Sequence, residues 1–250
     1  MNEEWLIGKN PVLEALRAGR PINKIWAAEG ASKGQINKVY QLAKERGITV
    51  QHVPRKKLDE LTSSSHHQGI AASVAAYEYA EMEDLFQKAA AREEDPFFLL
   101  LDEIADPHNL GSILRTADAA GVHGVIIPKR RAVGLTQTVA KSSAGAIEHV
   151  PVVRVTNMAR TMDELKKRGL WLAGTDAAGE EDIWSWGADM PIGVVIGNEG
   201  KGMSRLVKEK CDLLLRIPMQ GHITSLNASV AASLLMYEVY RKRLPLGSSG

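Results

Sequence analysis

The sequence predicts an α/β protein in two parts: a small N-terminal α/β domain, then a larger domain built on a parallel or mostly parallel sheet. Three observations predict it. Short apolar runs alternate with amphipathic helical stretches through the first part of the chain. A charged stretch, EMEDLFQKAAAREED at 81–95, interrupts that alternation. Phe97-Phe98-Leu99-Leu100-Leu101 then forms a continuous apolar run, which reads as a strand buried on both faces, and it opens a repeating strand, loop and helix pattern.

The elements follow in order. Gly8-Lys9-Asn10-Pro11 precedes Val12, Leu13, Ala15 and Leu16 at helical spacing, so Asn10 is read as an N-cap with proline at the first helical position. A strand is expected over 24–28, a helix over 35–46 closed by Gly47, and a strand over 48–53. A helical piece over 56–61 and a Ser-rich loop, Thr62 to Ser65, lead to a strand over 70–76. The charged stretch reads as a connecting helix ended by Pro96. Beyond it, strands are expected at 97–101, 122–127, 152–155, 170–174, 192–196 and 213–217, and helices at 109–120, 137–143, 158–168, 204–210 and 226–241. Residues 1–78 are therefore one domain, 79–96 a linker and 97–246 a second domain, with Leu246 to Gly250 a flexible tail.

Composition narrows the function classes. The 250 residues are 44% hydrophobic and carry a net charge of +1, so no global charge argues for nucleic acid. The distribution is uneven: residues 1–80 carry a net +3 and residues 81–96 a net −4. The basic bias permits RNA contact. A single cysteine, Cys211, excludes an internal disulfide and a cysteine-based zinc site, and fits a cytoplasmic location. The acidic start, Met1-Asn2-Glu3-Glu4, does not read as a signal peptide, and no apolar run approaches the ~20 residues of a membrane span.

In open α/β sheets, ligands bind beyond the carboxyl ends of the strands. Three loops fall there: Asp102–Gly111, Gly197–Ser204 and Pro218–Asn227. In the first, Asn109 and Arg115 either cap a helix and pair with a surface carboxylate, or turn toward a ligand. In the second, Gly197, Gly200 and Gly202 match neither the dinucleotide fingerprint nor the nucleotide-phosphate loop. They are open to a tight turn with solvated Glu199 or to close backbone approach by a ligand. In the third, Thr224 or Ser225 can cap the last helix, which leaves Asn227 in its first turn without a role. That helix is apolar on several faces, which suggests a partner subunit. His66 and His67 are read as a solvated loop or an RNA contact, and His108 and His222 lie near the loops by position alone.

Together, N-x-G-x-x-x-R at Asn109, Gly111 and Arg115, I-G-N-E-G at 196–200, and I-P-M through S-L-N at 217–227 resemble the SPOUT-class RNA 2′-O-ribose methyltransferases. The resemblance is to the TrmH/RlmB-like branch, which methylates a guanosine ribose in 23S ribosomal RNA. It covers 97–243 in order and spacing, and 5–78 resembles that branch's substrate-binding domain. Asn198 stands where the family often has alanine. The resemblance implies a deep trefoil knot, a homodimer and S-adenosyl-L-methionine (SAM) held near Thr175, Gly197, Ile217, Met219 and Leu226. It implies that Arg115 acts on the ribose hydroxyl, with Asn109, Glu199, Ser225 and Asn227 placing it and the substrate, and that no metal takes part. The expected partner is RNA, as 23S rRNA or a ribosomal precursor, with neither DNA nor membrane. A transfer-RNA substrate and a non-catalytic RNA-binding assembly factor are the alternatives. The three loops hold no Phe, Tyr or Trp to sandwich a flipped base, which favours a ribose acceptor over a base.

Overall fold

The computed structural model describes residues 3–30, 33–75 and 77–244. The chain divides into two compact units, residues 1–78 and 79–250. The expected tail at Leu246 to Gly250 lies outside the described residues, as does Ala76 at the end of the expected strand.

The first unit runs β1 (Glu3–Ile7), α1 (Lys9–Ala18), β2 (Ile22–Ala28), α2 (Lys33–Glu45), β3 (Val50–Val53), α3 (Arg55–Thr62) and β4 (Ile70–Ala75). Its sheet has the order β1-β4-β2-β3; only β2 and β3 are parallel. Strand β1 was not expected, because two glutamates at its start mask a short period-two pattern. Asn10 does not cap α1. Gly8, at φ 98°, turns the chain straight from β1 into the helix, and its carbonyl accepts the amide of Val12 at 3.3 Å. Alternate residues Leu6, Ile25, Ala72 and Val74 pack one sheet face against Val12, Leu16, Ile36 and Val39 of α1 and α2.

His67 corrects the reading of a solvated loop: its ring is fully buried. Its Nδ1 accepts the amide of Gly69 at 2.9 Å, and its Nε2 lies 2.9 Å from Asp59. The loop before β4 is therefore fastened from within, and His66 beside it is exposed.

The second unit begins with α4 (Met82–Ala91), which ends five residues before Pro96. This helix does more than connect. Leu85 is fully buried in the unit's core with Phe98, Leu100 and Ile126, and Phe86 meets Phe98 edge to face at 5.0 Å. There follow β5 (Phe97–Leu101), α5 (Pro107–Ala119), β6 (Gly124–Pro128), α6 (Gln137–Ser142), a 3-10 turn (Ala146–Glu148), β7 (Val152–Val155) and α7 (Met158–Lys167). Then come β8 (Trp171–Thr175), β9 (Glu181–Asp182), β10 (Ile192–Ile196), α8 (Arg205–Lys210), β11 (Leu213–Arg216) and α9 (Ala228–Arg243).

Every pairing in this sheet is parallel, with the order β7-β6-β5-β10-β8-β11-β9. All five residues of β5 and of β10 are buried, as the apolar runs required. Each buried Leu or Ile there stabilises the fold by about 1.5–3 kcal/mol relative to exposure. The order β5-β10-β8-β11 sets four carboxyl ends side by side. The loops that leave them converge on one edge of the sheet.

Candidate active site

The first loop is shaped by the start of α5. Asp106 is the cap, its side chain accepting the amide of His108 at 2.9 Å, with Pro107 at the first position. Asn109 is thus not the cap. It is left to point inward, only 8% exposed. Gly111 serves packing: a Cβ there would fall 1.9 Å from Ser142 Oγ and 2.9 Å from the carbonyl of Val139, so α5 lies directly on α6.

The glycine loop is pinned to the first. Asn198 and Gly202 exchange backbone hydrogen bonds at 3.0 and 2.8 Å. The Asn198 side-chain oxygen accepts the amides of Gly200 at 3.0 Å and Lys201 at 3.3 Å, while its Nδ2 donates to the carbonyl of Glu103 at 3.3 Å. Asp102 accepts the amide of Ser204 at 2.7 Å. A Cβ on Gly197 would sit 2.3 Å from the Gly202 and Met203 backbone, so the loop folds back on itself too closely for any other residue. Sequence reading missed Asp102 as a fastener and gave Asn198 little weight. The signal was available for Asn198, since an asparagine in a glycine-rich loop is a turn residue that bonds the backbone two residues on.

The third loop ends at the cap of α9, and the cap is Asn227 itself. Its Oδ1 accepts the amide of Ser229 at 2.9 Å and the Ser229 hydroxyl at 2.6 Å, so neither Thr224 nor Ser225 is needed there. Its Nδ2 donates to Asn109 Oδ1 at 3.0 Å and to Glu199 Oε1. Glu199 Oε1 also accepts from Asn109 Nδ2 at 2.7 Å and from the Ala228 amide at 3.1 Å. One carboxylate oxygen therefore joins all three loops and stands at the positive end of a sixteen-residue helix, where a negative charge is stabilised. The second oxygen of Glu199 has no partner among the described residues.

The structure thus brings Asn109, Glu199 and Asn227 into contact. Neither of the other two expected catalytic residues is hydrogen-bonded to them. Arg115 is exposed on α5 without a polar partner among the described residues. Six residues after Asn109, it points about 240° around the helix. Ser225 is exposed in the third loop. Of the expected cofactor residues, Thr175, Gly197 and Ile217 stand at or just past the carboxyl ends of neighbouring strands β8, β10 and β11, and Thr175 Oγ1 bonds the carbonyl of Val195 at 3.4 Å. Leu226 is half-buried and Met219 exposed. Among the described residues, no backbone amide from Met219 to Leu226 has a partner within the chain. His108 and His222 are exposed.

Cys211 does not belong to this chemistry. It is packed against Gly174 and Met203, and burial pushes its thiol up to about 12, so it stays protonated near neutrality. Among the described residues no group of three or more His, Cys, Asp or Glu could hold a metal ion, and no helix is long and apolar enough to cross a membrane.

Residues 96–237 match the family model of the SpoU rRNA methylases. The chain belongs to the SpoU rRNA methylase family. It is accordingly an RNA methyltransferase. Residues 5–80 of this SpoU-family chain match a second model, that of RNA 2′-O ribose methyltransferase substrate binding. A TrmH family tRNA/rRNA methyltransferase of Bacillus subtilis (strain 168), YacO by name, is 62% identical over 244 residues, covering 98% of each chain. Among solved structures, the SpoU methyltransferase AviRb from Streptomyces viridochromogenes in complex with AdoMet superposes with a TM-score of 0.67 at 28% identity. That match covers 96% of this chain and 90% of the other. An AdoMet-bound rRNA methyltransferase from Sinorhizobium meliloti gives 0.63 at 25% identity, over 97% and 88% of the two chains.

Proposed function

We propose that this enzyme transfers a methyl group from SAM to the 2′-hydroxyl of a guanosine ribose in 23S ribosomal RNA, acting as a homodimer. The observation that carries the reading is the hydrogen-bonded cluster of Asn109, Glu199 and Asn227 at the carboxyl edge of a parallel sheet. The cluster is polar, small-chained and without aromatic residues, which suits a ribose hydroxyl more than a flipped base.

The neighbouring edge fits the cofactor. An adenosyl group asks for donors and acceptors close to backbone, and the amides from Met219 to Leu226 are free to supply them. Gly197, Ile217 and Leu226 would flank it, with Thr175 and Met219 close by. When bound, SAM supplies a methyl group already activated on a sulfonium. The protein's part is alignment, worth up to ~7–11 kcal/mol for a well-oriented pair. Glu199 holds Asn109 and Asn227 in register, and these side chains, with Ser225, place the ribose. A guanidinium stays protonated, so Arg115 polarises the hydroxyl or holds the adjacent phosphate while another group takes the proton that the hydroxyl loses as the methyl leaves the sulfonium.

Dimerisation is supported by α9. Val230, Tyr237, Tyr240 and Leu244 form an exposed apolar strip beside exposed Trp184. Helix α5, which carries Arg115, packs beside α9 through a 3.1 Å contact between Thr116 and Ser233. The family's threaded chain path is part of the same reading. It is supported by β10 lying between β5 and β8, with the loops after β10 and β11 on one edge.

The test is methyl transfer from SAM to separated 23S rRNA and tRNA, followed by mass spectrometry of the nucleosides. We expect 2′-O-methylguanosine in 23S rRNA. Label confined to tRNA would move the substrate, and a base-methylated nucleoside would remove the ribose assignment.

A further inference from the structure

The sheet of the first unit has a second face, opposite α1 and α2. By alternation it presents Trp5 on β1, Ala71 and Ser73 on β4, and Lys24 and Trp26 on β2. Helix α3 covers only one end, through Leu58 against Ala28, Val53 and Ala71. The two tryptophans pack against that small cluster and are partly buried. Their ring centroids are 4.7 Å apart and their planes are inclined by 49°, so they form an open wedge. Lys24 Nζ lies 5.5 Å from the Trp26 ring centre. Ser73, paired across the ladder with both Trp5 and Lys24, is fully buried, and its hydroxyl has no partner. Arg55 and Lys56, exposed and without partners among the described residues, begin the helix on the same face.

Two indoles and three cations lie on one side of the sheet. Packing against the Leu58 cluster buries the aromatic pair only in part. A nucleic-acid strand answers both features: base faces stack on indoles and phosphates meet the cations. A duplex hides its base faces, so the strand must be unpaired. The unit's net +3 charge suits the same occupant.

We propose that this face is a stacking platform for unpaired nucleobases of the RNA substrate, with Trp26 and Trp5 taking base faces and Lys24 an adjacent phosphate. It rests on the reading of the chain as an RNA methyltransferase and adds which surface grips the RNA and in what state. The platform selects for a loop or bulge of the substrate RNA. Helical RNA is not held there.

The experiment uses the full chain and a short fluorescein-labelled oligoribonucleotide of mixed sequence, single-stranded or annealed to its complement, followed by anisotropy. The wild type should prefer the single strand. Trp26→Ala should weaken that binding about tenfold or more, and Trp26→Phe should retain most of it, since phenylalanine still stacks. Lys24→Gln should lower the salt dependence by about one counterion. Far-UV circular dichroism separates these effects from unfolding. Unchanged affinity in both Trp26→Ala and Trp5→Ala, with methyl transfer intact, overturns the platform and leaves the RNA reading standing. A wild type that neither binds nor methylates any RNA overturns that reading and the platform with it.

Discussion

At the carboxyl edge of the parallel sheet, Asn109, Glu199 and Asn227 lie within 3.0 Å of one another through their side-chain nitrogens and oxygens, with no Phe, Tyr or Trp in the three loops. On the open face of the N-terminal sheet the proportions are reversed: two tryptophans and a lysine stand together without any such cluster. Under the two proposals, the difference follows from what each surface would control. Placing one hydroxyl for in-line attack needs short side chains held rigidly by their neighbours. Gripping a strand needs area and charge, and tolerates looser geometry.

Arg115→Ala should show the largest effect. We expect methyl transfer to fall below detection, by at least about a hundredfold, while SAM affinity stays within a few-fold. Because Arg115 is exposed and unpartnered, its loss should leave stability within about 0.5 kcal/mol. Near-normal turnover in this variant would remove Arg115 from the mechanism.

Glu199→Ala should act through order more than through contact. It strips the acceptor from Asn109, Asn227 and the Ala228 amide together. We expect transfer to drop about a hundredfold, as for a small misplacement of reacting groups, with a stability loss of about 1–2 kcal/mol. Full activity would show that the cluster is only a helix-capping device.

Removal of the first unit should come next. The cut belongs at Tyr79, because α4 carries Leu85 into the core of the second unit and a start within the charged stretch would open that core. The shortened chain should remain folded and bind SAM, and lose at least about tenfold in RNA affinity, the loss expected of one base stack. Undiminished RNA binding would mean that the second unit reads the substrate alone.

How much of this was legible in the sequence depends on the distance over which the signal acts. Strands β5 and β10 were readable because burial on both faces leaves an unbroken apolar run. Strand β9 has only two residues and carries no period at all. The three loops were readable as loops, and their convergence followed from strand polarity. Their hydrogen bonds did not follow, because the bond from Asn109 to Glu199 spans 90 residues and that from Asn227 to Asn109 spans 118. The caps were misassigned for a local reason: Asp106, Asn109, Thr224, Ser225 and Asn227 are all competent capping residues, and only the tertiary pull of Glu199 decides which of them turns inward.

The smallest expected effect concerns a device that both units share. His67 and His123 are each fully buried, each accepts a backbone amide on Nδ1, and each sets Nε2 2.9 Å from a carboxylate, Asp59 for the one and Glu94 for the other. In the second unit the amide is that of Phe97, the first residue of β5, so His123 fastens the start of a central strand. Accepting on Nδ1 requires the neutral ring. Burial lowers the pKa of His123 from its ordinary 6.5, and the hydrogen bond and charge of Glu94 only partly oppose it. The unfolded chain therefore takes up a proton first as pH falls. Stability is complete above about pH 6.5 and declines below it until the folded-state pKa is reached, at up to ~1.4 kcal/mol per pH unit. For a chain of this length that is a fall in melting temperature of about 2–4 °C per kcal/mol. Calorimetry between pH 7 and pH 5 should show the decline in the wild type. In His123→Gln the slope should be shallower, because its amide can face Phe97 or Glu94 without taking up a proton. Equal slopes in the two proteins would assign the acid sensitivity to other groups, and His123 would then be a packing residue with no part in the pH response.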